Sequence, residues 1–324
     1  MPSKIRLIVT GSLSHDHIMA MPTRFKDHIM ADKLHILNVS FIMDKLRKEF
    51  GGTGGNIAYS LGLLATQNIL VASAGQDFAP YKKHLSRNKA INTTGIRVYK
   101  TEPTATGFAM TDRDDNQVWG FYQGAMKYAR KLSIIPFLTN QSFVIIAPND
   151  VKAMTNYYKE AIKSKTNYLF DPAFNIVHFK KPDLIRAVLN ASIVIGNDYE
   201  VSLLIKKTGL TYSKILKNEK ILITTLGAKG SIIRSGSSKI IIPPAKVKKV
   251  IDPTGAGDAY RAGFMAGFIR GFDIETCGKM GSTAAAFAVE TYGTQAHKYT
   301  LAQFKLRYSA NYKSDLPLVR RKYD

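Results

Sequence analysis

Seven residues, Asp252-Pro253-Thr254-Gly255-Ala256-Gly257-Asp258, set a compact glycine turn directly before a carboxylate and a helix-like run. Unpaired backbone N–H groups at a helix N-terminus attract anions. A carboxylate among them, Asp258, can take a proton while the amides of Gly255, Ala256 and Gly257 hold a negatively charged group. That pairing points to phosphoryl transfer to a hydroxyl. The competing reading is an ordinary strand-to-helix turn with Asp258 as a cap. A hydrophobic, strand-like stretch is expected to end at Asp252. Ala262, Gly263, Ala266 and Gly267 are expected to give the following helix a small-residue face that packs on a sheet.

Three further constellations could serve the same chemistry. Gly51-Gly52-Thr53-Gly54-Gly55-Asn56 puts four glycines in five residues before an apolar helix. It reads as a loop whose backbone a ligand can touch, with Asn56 supplying a donor and an acceptor for a polyhydroxyl ligand or a phosphate. Asn197-Asp198-Tyr199-Glu200 places a carboxylate three residues after an amide at a strand end, a pattern that can organise hydrated Mg²⁺ or cap a helix. Thr225-Leu226-Gly227-Ala228-Lys229-Gly230 joins two strands, and its glycines can admit a nucleotide or simply turn a hairpin.

Several motifs are excluded. No Gly-x-x-x-x-Gly-Lys-Ser/Thr loop is present, so an ATP site would not be of the P-loop kind, and Ile57 stands where the dinucleotide fingerprint needs its third glycine. The protein-kinase catalytic set is missing as well. Asp112-Arg113-Asp114-Asp115-Asn116 begins like a calcium loop, but Gln117 and Gln123 replace its glycine and terminal glutamate, so a hairpin turn is expected. His15-Asp16-His17 has no Cys/His cluster nearby in sequence to complete a metal site.

These residues need a scaffold. Apolar, β-branched runs at residues 5–10, 69–74, 143–147, 168–170, 193–195, 221–225 and 231–234 predict strands. Helix-length segments at 55–65, 151–164 and 181–190 lie among them. That alternation predicts an α/β fold with a mostly parallel sheet covered on both faces. Such sheets bind ligands beyond the carboxyl ends of their strands, where Gly75-Gln76-Asp77, Asp171-Pro172, Asn197-Asp198 and Leu226-Gly227 fall. Residues 12–50 and 95–124 break the alternation and read as a small β-rich lid, with helical period confined to 41–50 and paired strands at 107–111 and 117–122. The 324 residues, 45% of them hydrophobic, suit one large domain with an insertion.

The first residues hold too short an apolar run for a signal peptide, and no stretch suits a membrane span. The single cysteine, Cys277, rules out an internal disulfide and fits a reducing, cytoplasmic setting. The net charge of +22 is scattered, apart from a tail-like Arg320-Arg321-Lys322. A solvated basic surface that steers anionic substrates is expected rather than a nucleic-acid interface.

Taken together and in this order, the motifs resemble the PfkB, or ribokinase-like, family of sugar and nucleoside kinases over about residues 5–300. The resemblance implies a three-layer α/β/α core and a single kinase domain over 1–324. It implies Asp258 as general base, with Gly255, Ala256 and Gly257 as the anion hole. It also implies Asn197 and Glu200 organising Mg²⁺ and ATP phosphates, the metal reached through water. Thr225, Gly227 and Gly230 would border the nucleotide, with Ser282 near the adenine. Asp16, Gly52 and Asn56 would bind acceptor hydroxyls. ATP and Mg²⁺ are the implied cofactors, and a monovalent cation and a lid-to-lid homodimer are further features it allows. Residues 25–29, 34–41 and Tyr292-Gly293-Thr294-Gln295, with Pro253 and Tyr260-Arg261-Ala262-Gly263, look most like the bacterial adenosine/nucleoside kinase branch. Phe108, Trp119, Phe121 and Phe174 are candidates for a base-binding slot or for core packing. A ribokinase- or fructokinase-like sugar kinase is the alternative. A non-catalytic basic protein on the same fold is another.

Overall fold

Alternate residues of each central strand leave the sheet on opposite sides, and both sides are apolar, which is the pattern of a sheet buried on two faces. The computed structural model describes residues 5–36, 38–114 and 116–317. Arg320-Arg321-Lys322 lies outside them, as do Leu37 and Asp115 within two of the segments read above. Among the described residues, ten strands form the main sheet: β1 (Arg6–Thr10), β4 (Asn68–Gly75), β5 (Ile91–Asn92), β6 (Ile96–Tyr99), β9 (Ser142–Ile146), β10 (Asn167–Phe170), β11 (Ile193–Asn197), β12 (Ile221–Thr225), β13 (Ser231–Ser235) and β14 (Ser238–Ile242). Their order is β14-β13-β12-β11-β10-β9-β1-β4-β5, with β6 on the second half of β4; only the β12–β13 and β13–β14 pairs are antiparallel, so β13 alone runs against the rest. The fold is ribokinase-like.

Helices cover both faces. Leu7, Val9, Leu70, Ile145, Ile195 and Ile223 pack under α1 (Thr53–Leu63), α2 (Ala79–Ser86), α7 (Ala256–Phe268), α8 (Ile274–Ala288) and α9 (Leu301–Tyr312). Ile8, Val144, Ile146, Phe170, Val194 and Leu222 point the other way, under α3 (Val151–Lys163), α4 (Lys181–Asn190), α5 (Asp198–Thr208) and α6 (Tyr212–Ile215). No helix among the described residues is long and apolar enough to cross a membrane.

A separate four-stranded sheet has the order β3-β2-β7-β8, from β2 (Ser14–Ala20), β3 (Lys45–Gly51), β7 (Ala105–Thr111) and β8 (Gln117–Tyr122). Here the sequence reading needs correction. The helical period over 41–50 is not realised: β3 pairs with β2 from Ser14↔Gly51 to Ala20↔Lys45. Alternation of Lys45, Arg47 and Glu49 with Leu46, Lys48 and Phe50 suits an edge strand. Residues 96–99 belong to the main sheet rather than to the lid. No strand leads into Asp252: residues 246–251, three lysines among them, are exposed, and Ile251 and Asp252 bond instead to the Val289 carbonyl at the end of α8. The small-residue face of α7 packs on α8 rather than on the sheet, since a Cβ on Gly263 would lie 2.5 Å from the Met280 carbonyl oxygen. The 112–116 segment is the expected hairpin turn, with the Asp112 carboxylate accepting from the amides of Asp114 and Asn116 at 2.9 Å each.

Candidate active site

The first turn of α7 opens at Gly255, whose φ of 79° favours glycine, and a Cβ there would stand 2.9 Å from Thr294. Asp252 shapes this turn by accepting from the amides of Thr254 (2.9 Å) and Gly293 (3.1 Å). The amides of Gly255 and Gly257 make no hydrogen bond to the described residues, while that of Ala256 reaches the Pro253 carbonyl at 3.2 Å. Asp258 follows in the same turn.

Asn56, in the first turn of α1, donates from Nδ2 to Asp258 Oδ2 at 2.8 Å. Its Oδ1 faces Thr294 Oγ1 (2.8 Å) and accepts from Gln295 Nε2 (2.9 Å). Gln295 also bonds to the Tyr81 hydroxyl, which donates to the Gly51 carbonyl at 2.8 Å. The network fixes which way the Asn56 amide points, so a donor faces Asp258. Burial pushes the Asp258 carboxyl up to about 6; the Arg261 charge and the Asn56 hydrogen bond oppose the rise, and Asp171 and Glu200 add to it. Such a value suits a base working near neutral pH.

Asp16 reaches the same cleft from β2. Its cross-strand neighbours are Glu49 and Gly107, and Ser14 Oγ donates to its Oδ1 at 2.9 Å. A Cβ on Gly51 would fall 2.0 Å from Asp16 Oδ2. Burial raises Asp16 to about 6, Ser14 opposes this, and Glu49 and Asp252 push it further. Tyr81 feels the charge of both Asp16 and Asp258. The Tyr81 hydroxyl links their two neighbourhoods: it donates to the carbonyl of Gly51, beside Asp16, and bonds to Gln295, which with Asn56 leads to Asp258.

The glycine-rich segment is a strand end running into a helix rather than a loop. Gly51 ends β3, Gly52 alone links the chain, and α1 begins at Thr53. Gly54 and Gly55 are buried because the Gly11 backbone and the Tyr81 hydroxyl come too close for a side chain. Asn197 and Glu200 form a reciprocal capping box: Glu200 N donates to Asn197 Oδ1, and Asn197 N donates to Glu200 Oε2, both at 2.8 Å. Burial raises the Glu200 carboxyl, with Asp171 adding to the rise. Among the described residues no three His, Cys, Asp or Glu side chains gather as a metal site, the 15–17 triplet included. Thr225 is the register neighbour of Asn197 at the carboxyl ends of β12 and β11. Gly227 (φ 57°) faces open space, whereas a Cβ on Gly230 would strike the Ile242 carbonyl oxygen. Ser282 is buried, and its Oγ accepts from the Ala245 amide at 2.8 Å, so the hydroxyl is spent on packing α8.

A cleft of about 720 Å³ runs from Phe121 on β8 to Asn149, Phe174 and Asn175 beyond β9 and β10. The buried Asn149 Nδ2 has no partner among the described residues. Trp119 lies above Gly107, on the same face of the small sheet as Asp16. Sequence reasoning missed Asn149 and Tyr81, and it placed Asp171 at a strand end and Arg261 in a family-like segment without giving either a role; they look like ordinary residues until the fold assembles them.

Comparison with known proteins identifies the family. The model of the pfkB family carbohydrate kinases matches residues 14–300. A nucleoside kinase of Methanocaldococcus jannaschii is 33% identical over 262 residues, 80% of this chain and 85% of that one. The crystal structure of that archaeal nucleoside kinase superposes with a TM-score of 0.86 at 30% identity, covering 95% of this chain and 99% of that chain. The Burkholderia thailandensis nucleoside kinase in complex with ADP-inosine gives a TM-score of 0.85 at 30% identity, covering 98% and 99%. The chain belongs to the PfkB family of carbohydrate kinases and is a phosphotransferase that acts on a hydroxyl group.

Proposed function

We propose that the protein is an ATP-dependent nucleoside kinase that phosphorylates the 5′-hydroxyl of a nucleoside, with adenosine the expected acceptor. The observation that carries this is the hydrogen-bonded chain that sets Asn56 Nδ2 against Asp258 and ends at Gly51, beside Asp16; the cleft between Phe121 and Phe174 meets the small sheet at Phe121, in the register row of Asp16 and Gly107. A nucleoside needs polar groups for its ribose and an apolar slot for its base. Asp16, Gly52 and Asn56 lie where ribose hydroxyls would bind, and Phe121, Phe174 and Trp119 flank the space left for a base. The Methanocaldococcus jannaschii and Burkholderia thailandensis relatives are both nucleoside kinases, and the ADP-inosine complex of the latter supports the same choice.

In the proposed mechanism Asp258 takes the proton of the acceptor hydroxyl, oriented by the Asn56 Nδ2 donor. The new bond from oxygen to the γ-phosphorus forms as the bond to the bridging oxygen of ADP breaks. The amides of Gly255 and Gly257, with that of Ala256 swinging from Pro253, receive the charge on the transferred group. Thr225, Gly227 and Asn197 border the nucleotide, and Ser282 holds the wall behind it. A lone carboxylate with hard oxygen donors fits Mg²⁺, which keeps most of its waters and leans on phosphates; Glu200 would hold it through water. Bound there, the metal would supply charge neutralisation on the phosphates. The small sheet serves as the lid of a single kinase domain and excludes water, the competing acceptor. Its outward face exposes Leu46, Phe108 and Val118, which supports self-association through the lid.

A coupled ADP-release assay over a panel of nucleosides and sugars tests the reading. Adenosine or another nucleoside is expected to exceed ribose and fructose in kcat/KM. Strong turnover of a free sugar with none on nucleosides would sink the nucleoside assignment and leave the sugar kinase.

A further inference from the structure

Arg261 sits three residues after Asp258 and four after Gly257 on α7. Helical side chains lean back toward the helix N-terminus, so its guanidinium lies over the first turn. A Cβ on Gly257 would come within 2.7 Å of Nη1. On its far side the guanidinium is anchored by buried Asp171, beyond the end of β10. Nη2 donates to Asp171 Oδ1 at 2.9 Å, and Nε stands 2.5 Å from Oδ2 but off the line of its N–H. The side chains are 8% and 1% exposed. Nη1 makes no hydrogen bond to any described residue.

This arrangement is costly on electrostatic grounds. A cation at a helix N-terminus opposes the helix dipole. A buried ion pair stabilises no better than apolar residues of the same volume. Burial works against the charge, yet Asp171, Asp258 and Glu200 hold the guanidinium protonated. An anion arriving at the turn accounts for a fixed cation whose Nη1 lies over Gly257 with no hydrogen bond to any described residue.

We propose that Arg261 is a catalytic residue of the phosphoryl transfer. Nη1 donates to a non-bridging oxygen of the phosphoryl group as it leaves ADP and reaches the acceptor. It exchanges no proton; the acceptor's proton goes to Asp258, and the electron pair of the broken bond goes to ADP. Asp171 is a positioning residue that fixes the fork. The inference rests on the phosphotransferase reading but on no particular acceptor, so it is tested with whichever acceptor the wild-type protein turns over.

The test compares Arg261→Lys, Arg261→Met and the double variant Arg261→Met/Asp171→Leu. The readouts are kcat, both KM values, melting temperature, and calorimetric affinity for ADP with aluminium fluoride, a mimic of the moving phosphoryl group. Arg261→Lys keeps the ion pair and loses the fork. Both single variants are expected to lower kcat by about 10²–10³-fold, to leave the acceptor KM within about threefold, as expected when only transition-state binding is lost, and to lose the tight aluminium fluoride complex. The double variant is expected to regain the melting temperature and not kcat, and it decides the matter if Arg261→Met alone does not fold. Wild-type kcat in Arg261→Lys, or recovery of kcat together with stability in the double variant, would overturn the proposal and leave Arg261 a counter-ion.

Discussion

Asp258 holds a position that the fold itself disfavours. Its carboxyl titrates at about 6, against 3.8 for an ordinary aspartate, chiefly because of burial. An acid raised in the folded state makes that state bind a proton that the unfolded chain has released. Stability therefore falls as pH rises from about 4 to about 6, and the loss is complete above 6. Asp258→Asn removes the ionised form and keeps an acceptor for Asn56 Nδ2. Thermal melts of this variant are expected to lie a few degrees above wild type at pH 8, with the gain shrinking as pH falls from 6 toward 4. A variant no more stable than wild type at pH 8 would mean the carboxylate is better solvated than this geometry shows.

Residues of this kind differed in how visible they were in the sequence. Asp258 and Asn56 stood out because their types and glycine neighbours are uncommon outside chemistry, whereas Asp16 was singled out for the acceptor only through the family resemblance. Arg261 did not, because an arginine inside a helix is usually a solvated or capping residue, and its partner Asp171 lies 90 residues away. Tyr81 and the adjacent pair Thr294-Gln295 orient Asn56 from two segments more than 200 residues apart, and no local pattern links them.

Elements explain the glycines. Gly51 is at the end of β3 because the Asp16 carboxylate of β2 occupies the place of its side chain. Gly51→Ala should push Asp16 out of the cleft. We expect a rise of about ten- to a hundredfold in the acceptor KM, as small displacements of a positioning group cost, with the KM for ATP within about twofold. An equal rise in both KM values would show that the whole sheet had shifted. Most central strands were legible because β1, β9, β11 and β12 are continuous apolar runs buried on both faces. β2 and β3 were not, because both are polar: His15, Asp16 and His17 in one, Lys45, Arg47, Lys48 and Glu49 in the other. Their period-2 alternation was the available signal, and the apolar spacing of Phe41, Ile42, Leu46 and Phe50 hid it. Asn197 and Glu200 were read as a motif and emerge as a capping box as well, which fixes the carboxylate that a metal would need.

At the scale of the molecule, the main sheet brings Asp171, Asn197 and Thr225 to the carboxyl ends of neighbouring parallel strands, and the small sheet sets Asp16 against Gly51, where β3 leads into α1. Two cores, one on each face of the main sheet, hold these ends rigid. The +22 charge is spread over the outside, where it favours the approach of an anionic nucleotide without fixing its orientation. In the proposed function, Gly255, Gly257 and Asp258 meet the acceptor hydroxyl, and the cleft that includes Phe121 is the candidate for selecting the acceptor. The account turns on Asp258 as the base in that meeting. The direct measurement is the turnover of folded Asp258→Asn with saturating ATP and the best acceptor of the panel, across pH, beside wild type. We predict a wild-type acid limb near pH 6 and a loss of at least about a hundredfold in kcat in the variant. Near-wild-type turnover by Asp258→Asn would contradict the account.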